Sequence, residues 1–143
     1  MVWSEKEVSM VSEDEARLAK LRAAVEDLWW MSETDAPFEV WVWDGVQPFE
    51  AQSLRQQMGY APMTPMQVIS LADFFAPVLV PKPWHRQAEG QVLQRYEQLY
   101  KLLLQVLDSV KVYRIGDRQL DVYIVGRSPT GTWMGLRTQA IET

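Results

Sequence analysis

Two carboxylates, Glu33 and Asp35, stand two residues apart in the short polar stretch from Ser32 to Ala36. On a loop, that spacing can bring the two groups within several ångströms of each other, the arrangement that general acid/base chemistry uses. The residues that follow are patterned as a strand. Phe38, Val40 and Val42 alternate with Glu39, Trp41 and Trp43, so successive side chains point to opposite faces. Pro37 fits the first position of such a strand, and Asp44-Gly45 fits the turn after it. A rigid strand that holds an exposed acidic loop aims carboxylates outward, at a substrate or at another molecule.

Little else completes an active site. The one histidine, His85, lies between Trp84 and Arg86 in a proline-rich stretch and reads as a surface residue. The absence of cysteine excludes disulfides, thiolate metal sites and cysteine nucleophiles. There is no Gly-x-Ser-x-Gly, phosphate loop, dinucleotide glycine fingerprint or zinc motif. Without such support an acidic loop is ordinarily a solvated turn.

Composition narrows the class. The chain has 143 residues, 48% hydrophobic and 23% charged, enough for one ordinary globular domain without a staple. No apolar run follows a basic start, and none approaches the ~20 residues of a membrane span. The expectation is a cytoplasmic protein, monomeric when free, with no membrane association. A net charge of -5 repels phosphates, which argues against direct nucleic-acid binding and favours a basic partner. Seven tryptophans are an unusual supply of core and hot-spot residues.

The elements that must position the acidic loop follow from periodicity. Residues 1–11 lack a clear period and are expected to form a flexible N-terminal tail, leaving 12–143 as a single domain. Ser12 with Glu15 makes a capping-box pattern, and Leu18, Leu21, Val25 and Leu28 recur at helical spacing, predicting a helix that ends near Trp30. The strand over 38–43 comes next. Pro48 opens a short helix through Met58, stopped by Gly59. Met66 to Ile69 reads as a short strand, and Ser70 caps one or two turns that contain Leu71, Phe74 and Phe75. Pro77, Pro81 and Pro83 make 76–84 irregular. A long helix is predicted over 87–110, with Val92, Tyr96, Leu99, Leu103, Val106 and Val110 on one face, widened by Leu102, Leu104 and Leu107. Three strands, at 112–115, 120–125 and 132–141, close the chain as a meander, with turns at Gly116-Asp117 and at Ser128 to Gly131. With no repeated βα unit, the fold class is α+β with a mostly antiparallel sheet.

The run from Leu28 to Gly45, Leu-Trp-Trp-Met-Ser-Glu-Thr-Asp-Ala-Pro-Phe-Glu-Val-Trp-Val-Trp-Asp-Gly, resembles the nuclease A inhibitor family. The closing segments, Val112 to Gly116, Leu120 to Gly126, Thr130-Gly131 and Ile141 to Thr143, resemble the same family's last strands. The middle agrees in outline through Gln56, Gln57 and Gly59, then Asp73-Phe74-Phe75, then Pro83-Trp84. The likeness spans about residues 15–143. It implies an α/β/α sandwich and a protein that is not an enzyme but inhibits one, a sugar-non-specific DNA/RNA endonuclease of the ββα-metal type. It further implies that the inhibitor plugs the nuclease's active site, with Glu33 as the loop glutamate and Trp84 as an apolar anchor. An oxygen of Thr143 would join the coordination shell of the nuclease's divalent cation (Mg²⁺), so the inhibitor needs no cofactor of its own. Lys82 falls in the same contact, at a place where a member of the family carries Gln, and a cation there opposes a basic nuclease groove.

Three functions therefore stand open at this point: an inhibitor of a non-specific nuclease, an interaction module of the same fold with a non-nuclease partner, and a hydrolase built on Glu33 and Asp35. Lys82 and the N-terminal extension favour the second; the third has no supporting histidine cluster or metal set.

Overall fold

A computed structural model of the chain describes residues 5–31, 35–45, 48–79 and 87–142, and the side chains of these except 5–12 and 87–90. In chain order the elements are α1 (Glu5–Ala24), β1 (Trp29–Trp30), β2 (Ala36–Pro37), β3 (Glu39–Val42), α2 (Ala51–Gln57), β4 (Met66–Ser70), α3 (Leu71–Leu79), α4 (Gln87–Val106), β5 (Asp108–Gly116), β6 (Gln119–Arg127) and β7 (Trp133–Ile141). β1 and β2 form a small antiparallel hairpin, and the other five strands form one sheet in the order β3-β7-β6-β5-β4. All of its pairings are antiparallel. The expected α+β class and the closing meander β5-β6-β7 are both present.

Period-2 alternation gives each strand two faces, and each face has its own core. On one side Val112, Val122, Ile124, Met134 and Leu136 pack under α1, α3 and α4. On the other, Tyr113, Ile115, Tyr123 and Val125 pack against Phe49 and Leu54 of the α2 region, with Trp41, Trp43 and Trp133 alongside. Helices therefore cover both faces, three against one, and the layering is the α/β/α sandwich implied by the resemblance. The 38–43 segment divides as its sequence predicts except at Val42: Phe38 and Val40 enter the first core, Trp41 and Trp43 the second, and Val42 is exposed.

The helical stripes behave as their spacing requires. Leu21, Val25 and Leu28 are buried from the first helix region, and Tyr96, Leu99, Leu103 and Val106 from α4. In the α2 cap, Ser53 Oγ accepts from the Glu50 amide at 2.7 Å and donates to the Pro48 carbonyl at 2.8 Å. Gly59 follows α2 at φ +77, a conformation that side chains resist and glycine does not. The Asp73 amide donates to Ser70 Oγ at 3.0 Å, the expected cap of α3.

Five boundaries differ from the sequence reading. α2 begins at Ala51, with Glu50 as its N-cap, instead of at Pro48. α1 begins at Glu5 instead of Ser12. Residues 5–11 hold no glycine or proline to stop a helix, so the apolar stripe does not mark its start. α1 ends at Ala24 and Asp27 turns the chain at φ 56, so Trp29 and Trp30 form a strand. The tertiary packing of Trp30 overrides the helical spacing that precedes it. α3 continues through Pro77 to Leu79, where Val78 and Leu79 gain contact with the core. α4 stops at Val106 rather than Val110; Ser109 at φ 55 and a register shift between Asp108 and Lys111 start β5 early. Leu104, assigned by spacing to the apolar face, is half exposed.

Candidate partner-binding end of the sheet

The acidic loop is carried by the β1-β2 hairpin, in which Trp29 pairs with Pro37 and Trp30 with Ala36. The hairpin is fixed by what lies under it. The Trp30 ring stacks on Phe74 at 4.1 Å and meets Phe38, Phe75 and Tyr96 edge-on. These contacts add aromatic geometry to the burial of a large side chain. Tyr96 donates its hydroxyl to the Trp29 carbonyl. Thr138 Oγ1 of β7 donates to the Pro37 carbonyl at 3.0 Å, tying the hairpin to the sheet. Burial pushes the Tyr96 phenol up to about 12, and the charge of Asp35 adds to that rise, against the Met31 backbone bond and Arg95. Asp35 itself is exposed.

Strand direction relates this hairpin to two other segments. β5 runs from Asp108, opposite Arg127, to Gly116, opposite Leu120. α4 stops just before β5 starts, so α4 runs back toward the Gly116 end when traced from Val106 to Gln87. α3 leaves Ser70, opposite Lys111, and doubles back over the sheet, which carries Leu79 toward the same end. β7 finishes there too, with Ala140 opposite Leu120 and Ile141 opposite Gln119. The neighbours of the candidate residues, namely Met31 and Asp35, Leu79 and Gln87, and Glu142, thus lie toward one end of the sheet. Glu33, Lys82, Trp84 and Thr143, like His85, lie outside the described residues.

The chain after β7 is held to its next residue. The Glu142 amide donates to the Arg118 carbonyl at 2.8 Å. Its carboxylate pairs with Arg114, whose other nitrogen donates to Gln67 Oε1 at 2.9 Å. Arg114 is only 16% exposed, so this clamp is partly shielded from solvent. Close by, Tyr60 donates to Asp121 at 2.5 Å and lies 3.0 Å from the Tyr123 hydroxyl, while Gln139 donates to Asp121 at 3.2 Å. Burial and the Asp121 bond both push the Tyr60 phenol up.

At the opposite end Asp14 accepts from Thr130 at 2.6 Å and Thr132 at 2.9 Å, and pairs with Arg17 at 3.1 Å. Burial alone would raise its carboxyl. The hydroxyl bonds of Thr130, Thr132 and Ser128, with Arg17, outweigh that and hold it below the usual carboxylate value.

These groups position chain segments; they do not converge on a reacting centre. Among the described residues no group of three or more His, Cys, Asp or Glu side chains could hold a metal ion. No helix among them is long and apolar enough to cross a membrane. The family model described as "Nuclease A inhibitor-like protein" matches residues 15–143. The chain belongs to this family. No curated protein matches it. Membership in the nuclease A inhibitor-like family implies a nuclease-inhibitor role, with a nuclease as partner, and fits the expectation of a non-enzyme.

Sequence reasoning missed Arg114 and the half-exposed pair Trp29 and Met31 in this region. A helix ending at Trp30 hid the latter. Read as a strand, Trp-Trp-Met would have put Trp29 and Met31 on one face and Trp30 on the other. No local signal marks Arg114, because strand register alone brings it to Glu142 and Gln67.

Proposed function

We propose that this protein inhibits a sugar-non-specific ββα-metal endonuclease by plugging its active site. The family match over residues 15–143 carries this reading. A nuclease that attracts polyanions has a basic cleft, and an inhibitor of net charge -5 exploits the same field for fast association. Glu33 stands in for a substrate phosphate, and Trp84 supplies an apolar anchor. Thr143 offers an oxygen, the donor type that Mg²⁺ prefers, to the cation of the nuclease. Lys82 falls in the same contact, where a cation opposes a basic groove and costs affinity. The convergence of the neighbouring segments toward one end of the sheet supports a single contact surface for all four residues.

The test is plasmid degradation by a purified ββα-metal endonuclease from the same genome, with and without a stoichiometric excess of this protein. Inhibition is expected, and full degradation sinks the reading. Glu33→Ala and removal of Thr143 should each weaken inhibition while leaving the melting temperature unchanged. Unaltered inhibition by both would overturn the site assignment.

Lys82 favours a second reading, an interaction module with a non-nuclease partner. Recovery of one such partner in a pull-down, together with no nuclease inhibition, would establish it.

A further inference from the structure

We infer that a groove beside the β1-β2 hairpin is a second contact with the nuclease, one that receives an apolar side chain flanked by cations. This rests on the inhibitor reading and extends it to residues outside the four named above. The groove, about 750 Å³, runs between the C-terminal half of α1 and the edge strand β3. Its lining includes the apolar Val25, Phe38 and Val40, with Trp29 beside them. Glu26, Asp27 and Glu39 also line it and are exposed, and Arg22 is the one cation among the lining residues; Arg95, outside the lining, donates to the Ala24 and Glu26 carbonyls. An apolar site whose own lining carries three carboxylates and one guanidinium matches a basic protein surface, and the cleft of a nuclease is such a surface.

Exposure and rigidity point the same way. Trp29 is 49% exposed and Met31 50%, although Trp30 between them is buried. Trp and Met are enriched where proteins meet. The backbone that carries Trp29 is also set in advance, because its carbonyl is bound by Tyr96 and its neighbour Trp30 is stacked on Phe74. Little order would have to be gained on binding.

Size argues for a contact beyond four residues, since a stable interface uses roughly 20–30 residues a side. A smaller hollow of about 240 Å³, lined by Ala36, Arg137, Thr138 and Gln139, shares Pro37 and Glu39 with the groove, and Arg137 stands opposite Glu39 there. The two together lead from Trp29 around the hairpin to β7, whose end precedes Thr143.

Surface plasmon resonance against the purified ββα-metal endonuclease tests this with Trp29→Ala and with the double variant Glu26→Lys/Glu39→Lys. Trp29→Ala should raise Kd at least tenfold, mainly through faster dissociation. The charge variant should slow association at least fivefold at low salt, with the gap closing at high salt. If Trp29→Ala does not fold, the charge variant decides alone. Wild-type binding with both variants within twofold overturns the groove and leaves the inhibitor reading standing. No binding by wild type overturns both. Sedimentation showing that wild type self-associates and Trp29→Ala does not would assign the groove to a second copy and overturn the inference.

Discussion

Replacing Arg114 by alanine separates stability from inhibition. The side chain bonds Gln67 and Glu142 at once and is 16% exposed, while Glu142 is 55% exposed. A half-exposed pair of this kind contributes about 1 kcal/mol to folding, since solvent screens the outer partner. For a chain of this size that lowers Tm by about 2–4 °C. The effect on inhibition should be larger in proportion. Without the clamp, Glu142 keeps its amide bond to Arg118 but its side chain is released. Re-ordering one residue on binding costs about 1–2 kcal/mol, which is about 5–30-fold in Kd. The assay is titration calorimetry against the nuclease, with Arg114→Ala made in wild type and in the chain lacking Thr143. If the clamp acts by placing Thr143, the substitution weakens binding about tenfold in wild type and by less than twofold in the shortened chain. Equal losses in both backgrounds would refute positioning and leave only a structural role.

Asp14 holds its proton less tightly folded than unfolded, so its contribution to stability is present above the ordinary carboxylate range and is lost as pH falls through the folded value. Asp14→Ala should cost about 1–3 kcal/mol at pH 7 and flatten the acid limb of a Tm-against-pH curve. Tyr96 is shifted the other way: its contribution is complete below the unfolded phenol value near 10 and lost as pH rises toward about 12. Tyr96→Phe should remove that alkaline loss, cost about 1–2 kcal/mol at neutral pH by leaving the Trp29 carbonyl without its hydroxyl donor, and change the alkaline phenolate absorbance. Gly135→Ala would drive a Cβ into the Ile124 carbonyl, a backbone atom that cannot turn aside. Denaturant unfolding should show a loss above about 3 kcal/mol, whereas an unchanged midpoint would mean that the strands separate easily there.

What the sequence made legible follows from how far each signal reaches. The meander was readable because alternation within β6 is a local property, and the buried face of α4 because Tyr96, Leu99 and Leu103 repeat within single turns. The break at Ser109 was not, since Val106 and Val110 continue helical spacing across it. The hairpin arm at Trp29-Trp30 was lost for a related reason: Leu18 to Leu28 ran a stripe straight into it, and only the stacking of Trp30 on Phe74 reverses the preference. Within the proposed contact region, Lys82, Trp84 and Thr143 came from resemblance, while the acidic loop with Glu33 stood out by residue type and spacing and took its role from resemblance. Arg114 and Glu142 meet through pairing across 28 residues, which no window of sequence contains.

β3 and β7 are the first and last strands of the five-stranded sheet in the chain, yet they are neighbours, with Glu39 opposite Arg137 and Val42 opposite Met134. During synthesis β3 leaves the ribosome long before its partner exists. Until β7 emerges, its free edge and the hairpin joined to it have no sheet to join. Contacts this distant along the chain form late and slowly. The proposed contact surface is therefore completed last, and a chain interrupted before residue 133 should present no working inhibitor, however well its first helices form.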